Sequence, residues 1–577
     1  MVTLDFYSPE GTVSVSVAHA PRLASLRCKR IALLSNDDWQ SHRSMPLLKE
    51  LLEHDFPGIE VLPAEAFPKG AGVMSQDSTI ALVRASGADA VILGNAACGA
   101  CSAACGAAAA KLEAQGIPTA ILARTDFASV VRNTMSGSGL APDIPMAEFP
   151  MDLFMPDSDL SPVRERREVL YAGLTTWSVE AVSADVPQIV SVEGRTYEEA
   201  LVKANNLIMT SLWGDGLPSW PATKDRVEWI LSGTDTPREQ SFGRFPPRGA
   251  GVTVESCAIA LAMAGGRPEY MPVLIAAVEA LLDPDADSDQ MQATSGAAFP
   301  VVIVNGPIAK QIRLNSGYGC LGPDPQYPAG ASIGRALRQM QQNLGGALPG
   351  VGTMATWGAH RTTNLVFAED DEGLPDGWLP HGSERHGFAA GTNSVSLFWA
   401  TGATNVLRGS GAGQSLEQDL REGLYRVADL MSAPHIHHYC EGYEHGTPGA
   451  VLISRITARQ LHAQGYYSKA PVRNFLWENS GISQSRMQRT GGSAWIPRSS
   501  SLAALRNKDL DPWPITADPG NITLIVAGGE HPMHTLWLPA FSRSVTGLVV
   551  HPPRELGKLL AQADRDLGCA ADLCTIH

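Results

Sequence analysis

The stretch that decides the fold is Asp89-Ala90-Val91-Ile92-Leu93-Gly94-Asn95-Ala96-Ala97-Cys98-Gly99-Ala100-Cys101-Ser102. Residues 89–93 form a short apolar run, which reads as a buried strand. A small-residue loop holding two cysteines follows, and then an alanine-rich segment, Ser102 to Gln115, which reads as a helix stopped by Gly116. A strand that enters a helix through a small-residue loop is half of a parallel β–α–β unit.

The same alternation continues on both sides. Ile31 to Ser35, Ile59 to Leu62 and Ile117 to Leu122 read as further strands. Met45 to His54 and Ser75 to Ala85 carry apolar residues at helical spacing. Strands alternating with helices imply an open parallel sheet covered on both faces. The fold class expected is therefore α/β, with an N-terminal flavodoxin-like domain over residues 1–140. Residues 141–195 begin with Pro142, Pro145, Pro150, Pro156 and Pro162 and show little periodicity, so they read as a linker or wrapping segment. Residues 196–577 resume the alternation and form a larger C-terminal α/β module. Its expected helices are 196–212, 224–231, 253–264, 271–282, 331–344 and 416–431. Its expected strands are 300–305, 394–400, 451–454 and 522–527.

The chain has 577 residues, with 44 Lys plus Arg against 59 Asp plus Glu, a formal net charge of −15. An acidic chain of this kind is not expected to bind nucleic acid, whose partners carry positive fields. Apolar residues make up 44% of it, enough for large buried cores. The longest apolar stretch, 258–282, is interrupted by Arg267, Pro268 and Glu269, so no membrane span is expected. With no leader-like N-terminus, the expectation is a cytoplasmic protein whose thiols stay reduced. Composition leaves a homo-oligomer open.

Cys98, Cys101 and Cys105 fall within eight residues. Their place, between strand and helix at the carboxyl edge of a parallel sheet, is where such folds put active sites. Free N–H groups and the partial positive charge of a helix start favour a thiolate there. A C-x-x-C pair can close into a disulfide after one thiol attacks a substrate. Cys105 lies one turn beyond Cys101 on the same helix face. The C-x-x-C-x-x-x-C spacing equally suits zinc or an iron–sulfur cluster with a ligand from elsewhere.

At this point the chain resembles the UGSC-motif selenoprotein family. The residues that carry the likeness are Gly87 to Gly94, Cys98-Gly99-Ala100-Cys101-Ser102, Leu112-Glu113 and Gly116-Ile117-Pro118-Thr119. The cysteine loop, with Cys105-Gly106, also looks more distantly like the selenoprotein B subunits of glycine, sarcosine and betaine reductases. Gly214 to Pro218, Ala264 to Tyr270, Val304 to Pro307 and Asn315 to Gly319 look like the C-terminal module of the family's larger members. The resemblance implies that Cys98, where a selenocysteine or cysteine stands in the family, is the attacking group and Cys101 its resolving partner.

Several C-terminal groups are substrate-contact candidates. Arg267 could hold a carboxylate in bidentate fashion, or form a structural ion pair with Glu269. Asn305, Asn315, Tyr318 and Cys320 lie in glycine-rich turns, where a backbone can approach a ligand closely. His531 follows Gly528-Gly529 after a strand. His386, His435 and His438 can titrate near neutral pH and serve as acid/base candidates. His435, His437 and Cys440 are the metal candidates, for zinc or iron, in a run that ends at His445 but matches no specific metal signature. There is no phosphate-loop signature, no convincing G-x-G-x-x-G after the first strand and no G-x-S-x-G elbow.

The leading expectation is an enzyme that uses Cys98 and Cys101 for reductive cleavage of a carbon–heteroatom bond in a small polar substrate. It needs no bound cofactor but requires an external dithiol reductant. Three other readings remain. One is non-redox carbon–sulfur bond formation or cleavage through a cysteine-bound intermediate. The second is a metal-dependent lyase or hydrolase centred on 435–445. The third is a soft-metal binder at the three cysteines.

Overall fold

The computed structural model describes residues 1–13, 19–178, 188–358, 364–408, 414–433, 442–490 and 510–568. Five parallel strands form the N-terminal sheet in the order Glu60–Leu62, Arg30–Ser35, Ala90–Ala96, Thr119–Arg124, Met146–Phe149. The central strand Ala90–Ala96 is buried at every position, because helices cover both faces. Ser41–Asp55 and Arg167–Thr175 pack on one face through Met45, Leu48, Leu52, Leu170 and Leu174. Asp77–Ala85, Gly99–Ala114 and Ala128–Gly137 pack on the other through Ile80, Val83, Ala108, Val131 and Met135. The flavodoxin-like order expected from the alternation is present.

The domain differs from its expected limits at both ends. Met146–Phe149 is its fifth strand, and Arg167–Thr175 covers the sheet, so much of the proline-rich segment belongs to this domain. Pro145 and Pro150 bracket an edge strand, where a missing N–H breaks no ladder. At the other end, Val2–Tyr7 pairs antiparallel with Ile189–Gly194 outside the five-stranded sheet. Leu4 and Phe6 then enter the core of the C-terminal module, beside Ala200, Val227 and Ile230.

The C-terminal module is built on an eight-stranded mixed sheet. Phe299–Asn305 pairs parallel with Leu365–Ala368 and antiparallel with Ser394–Ala400. Thr447–Ile453 repeats this plan, parallel with Thr523–Val526 and antiparallel with His534–Ser542. The two halves exchange short strands. Thr404–Leu407 joins His534–Ser542, and Thr546–Val549 joins Ser394–Ala400. The sheet curls until its ends meet, where the Asp370 N–H donates to the Val526 carbonyl at 2.8 Å. Phe299, Val301, Ile303, Phe367, Phe398, Leu452, Ile525 and Leu538 fill the inside. Helices Val254–Met263, Met271–Leu282 and Ala329–Asn343 cover the first half. Leu416–Met431, Arg455–Ala463 and Lys469–Asn479 cover the second.

The modules meet through close backbone contacts. A Cβ on Gly99 would fall 1.8 Å from the Ala293 carbonyl oxygen, and one on Gly137 would fall 2.0 Å from that of Pro247. Ala103, Phe127 and Val130 pack with Ala293 and Met354 across the junction. The Ser129 hydroxyl donates to the Val351 carbonyl at 2.5 Å. Among the described residues, no helix is long and apolar enough to cross a membrane.

Candidate functional site

The chain reaches Ser35 at the end of its first sheet strand, runs outward to Glu60–Leu62, and returns on the other side at Ala90–Ala96. The crevice left at the carboxyl ends of Arg30–Ser35 and Ala90–Ala96 is the ligand position of this fold. Cys98 stands there. Its backbone is extended (φ −135°, ψ 171°), and it caps the helix Gly99–Ala114. Its Sγ accepts the backbone N–H of Cys101 at 3.2 Å, taking the place of a capping hydroxyl.

The loop is fixed from behind. Asn36 donates to the Asn95 carbonyl at 2.8 Å and accepts the Asn95 N–H at 2.9 Å. The Asn95 side chain donates to the Trp39 carbonyl at 2.7 Å and accepts from the Ser44 hydroxyl at 3.1 Å. The asparagines thus lock the first strand's loop to the cysteine loop.

The two thiols are driven apart in acidity. Cys98 is held below the ordinary thiol range, chiefly because the Cys101 thiol donates to it, with help from the Cys101 N–H and the Trp39 side chain. Burial and the Asp38 charge oppose this. Cys101 is pushed well up, first by donating a hydrogen bond to Cys98, then by burial and by the charge on Cys98. Cys98 is half-buried, while Cys101 is buried. The arrangement favours a thiolate on the outer sulfur and a thiol on the inner one.

Cys105 lies in the core among Ala104, Ala108 and Val131, and burial raises its pKa strongly. It is not open to a substrate. No disulfide joins the described cysteines, which are Cys28, Cys98, Cys101, Cys105, Cys257 and Cys320.

The C-terminal candidates divide. Arg267 is engaged structurally, donating to Glu269 at 2.7 Å and Asp566 at 2.9 Å, and lying over the Trp229 ring. Asn305 donates to Glu369 at 2.8 Å and Asp371 at 2.7 Å. Asn315 shapes its own turn, donating to the Tyr318 carbonyl and accepting the Gly317 N–H. The turn meets the loop that holds His531, because the Gly528 N–H donates to the Ser316 carbonyl at 2.8 Å and Gly529 lies against the Tyr318 ring. His531 itself is exposed. Burial pushes the Cys320 thiol up to about 11. His386 contacts the Ser396 hydroxyl at 3.0 Å, and burial pushes it down to about 4, so it is neutral at pH 7. His435, His437, His438 and Cys440 lie outside the described residues. Among the described residues, no group of three or more His, Cys, Asp or Glu side chains is placed to hold a metal ion.

These glycine turns gather at the Asn305 end of the strand Phe299–Asn305, whereas Ala293, which packs on Gly99, precedes its other end. Seven residues of strand span about 20 Å. The turns and the cysteine loop are therefore separate places in the fold. Sequence reasoning missed Asp38 and Trp39 beside Cys98. Their signal was position, directly after the strand on the other side of the crevice.

This geometry defines the N-terminal part as a flavodoxin-like domain with a two-cysteine loop at its switch point. Residues 5–169 match the model of the UGSC family, so this part of the chain is similar to that family. The match takes in all five strands and the cysteine loop and ends before the C-terminal module. No curated protein and no solved structure matches the chain.

Proposed function

We propose that the protein is a thiol-dependent reductase that cleaves a carbon–heteroatom bond in a small polar substrate. The observation that carries the reading is the hydrogen bond from the Cys101 N–H to Cys98 Sγ, with Cys98 the less buried thiol and the one of lowered pKa. A thiolate at a helix start is a ready nucleophile.

Cys98 attacks a carbon next to a carbonyl or carboxyl group. A carbon–sulfur bond forms, and the heteroatom leaves with its bonding pair and takes a proton. Cys101 then loses its proton and attacks Cys98 Sγ. The disulfide forms, the carbon–sulfur bond breaks, and its electron pair passes to carbon, which is protonated. An external dithiol reduces the Cys98–Cys101 disulfide by exchange and is itself oxidised. The net change is substrate plus dithiol giving reduced product, the protonated leaving group and a disulfide.

The test uses the full chain, dithiothreitol and a panel of carboxylic acids and ketones bearing nitrogen, oxygen or sulfur on the adjacent carbon. One dithiothreitol should be oxidised per bond cleaved. Cys98→Ser should lose the activity, and Cys101→Ser should stall with one substrate fragment on Cys98, read by intact mass. Full turnover by Cys98→Ser overturns the proposal. Turnover without dithiol oxidation replaces it with the non-redox carbon–sulfur reading.

A further inference from the structure

A cavity of about 470 Å³ opens in the C-terminal module, away from every residue of the cysteine loop. Helix Ala329–Asn343 supplies Arg338 and Gln342, the turn after helix Tyr197–Thr210 supplies Leu212 and Asp215, and the 348–358 segment supplies Leu348, Thr353 and Trp357. Its size suits a small-molecule ligand.

Arg338 is the unexplained group. It is 6% exposed, and its guanidinium donates to two neutral acceptors, the Ala347 carbonyl at 3.1 Å and Gln342 Oε1 at 3.3 Å. Among the described residues it forms no ion pair. The neighbouring acid is already engaged, since Asp215 holds Arg335 in bidentate fashion at 2.7 and 2.8 Å. Asp215 acts on Arg338 only through space, so among the described residues two guanidiniums here share one carboxylate and a net positive charge remains. A buried charge without a direct counter-ion is unfavourable, and a ligand anion would relieve it. Burial lowers the Arg338 pKa only to about 10, so the guanidinium remains charged at neutral pH.

The rest of the lining is mixed: Asp215, Gln342 and Thr353 are polar, and apolar side chains complete it. Met209, Leu212 and Leu348 line the cavity, and Trp357 stands at it 88% exposed, a large apolar surface open to solvent. A bare inorganic anion would leave that surface uncovered.

We propose that this cavity binds a small organic carboxylate, its anionic end paired with Arg338 and its apolar body against Leu212, Leu348 and Trp357. The site stands independently of the cysteine chemistry. It has one link to it. The 348–358 segment lines the cavity on one side and touches the N-terminal domain on the other, through Val351 and Met354.

Calorimetric titration of the full chain with phenylacetate, hexanoate and the neutral isostere phenylacetamide tests the proposal. One-to-one binding of at least one carboxylate is expected. The amide should bind about tenfold or more weakly, as the loss of a charged hydrogen bond implies. Arg338→Met should remove the acid–amide difference, and Trp357→Ala, at an exposed position, should weaken the acid several-fold. If Arg338→Met fails to fold, the acid–amide comparison and Trp357→Ala decide. The proposal is overturned if no carboxylate binds at millimolar concentration, if acid and amide bind alike, if Trp357→Ala changes nothing, or if inorganic phosphate binds where the carboxylates do not.

Discussion

The carbonyl oxygen of Ala293 lies 1.8 Å from the point where a Cβ on Gly99 would fall. Gly99 opens the helix that Cys98 caps, so the C-terminal module is fitted against the first turn of the cysteine helix. The helix start, whose Cys101 donors hold the Cys98 thiolate, is thus set where the two modules dock. Gly99→Ala should drive the modules apart locally. An overpacked contact costs about 1–3 kcal/mol, and here the obstacle is backbone, which cannot rotate away. A thermal melt should show a lowered Tm. An unchanged Tm would mean that the junction yields freely.

The thiol pair predicts an ordered alkylation. With iodoacetamide and peptide mass mapping, Cys98 should react first, with a midpoint below the ordinary thiol value of about 8.5. Cys101 should stay unmodified at that pH, because its thiol is held protonated by its bond to Cys98 and by burial. Cys101→Ala should raise the Cys98 midpoint, since the thiol donor is the largest stabiliser of the thiolate. Labelling of Cys101 ahead of Cys98 would reverse the assignment of roles.

Asp38 and Trp39 act on Cys98 with opposite signs. The Asp38 charge raises the Cys98 pKa, while the Trp39 side chain lowers it by hydrogen bonding. Asp38→Asn should therefore move the alkylation profile to lower pH, and Trp39→Phe should move it to higher pH. Shifts in the same direction would show that these substitutions act through loop displacement rather than through charge and hydrogen bonding.

Particular residues show what was legible in the sequence. Ala90 to Leu93, Cys98 at the strand–helix boundary and the helices over 254–263, 271–282 and 416–431 were readable because apolar period and small-residue punctuation are local properties. Val2–Tyr7 was not placed, because its partner Ile189–Gly194 lies far along the chain and pairing across such a separation leaves no local mark. Met146–Phe149 was hidden among prolines that an edge strand tolerates. The repeat in the C-terminal sheet was missed for a similar reason. Phe299–Asn305 and Thr447–Ile453 share their pairing plan but no sequence period. At the site, Cys98 and Cys101 were legible from spacing. Arg338 was not, because an arginine on a helix reads as a solvated face until its burial, and the lack of an ion pair among the described residues, are known.

Lys469 and Glu369 supply the last prediction. They form an ion pair of 2.6 Å with both side chains fully buried, where the strand ends of the two sheet repeats converge. Glu369 also accepts Asn305, the His381 N–H and the Val526 N–H. Lys469→Met alone leaves a buried carboxylate without its cation and should cost about 3–5 kcal/mol. The double variant with Glu369→Gln removes both charges, so it should cost less than the two single losses added together. Urea unfolding of all four proteins measures this coupling, and strict additivity would refute it. The same pair governs Asp371, whose pKa is raised to about 6 by burial and by the Glu369 charge. A carboxyl raised in the folded state binds its proton more tightly there than in the unfolded chain. Its contribution to stability is therefore full below the ordinary carboxyl value of 3.8 and is lost as pH rises through about 6. The wild-type unfolding free energy should fall across this window relative to that of Asp371→Asn. Glu369→Gln should shrink the difference, because it removes the neighbouring negative charge. An equal slope in wild type and Asp371→Asn would show that Asp371 is already ionised in the folded protein.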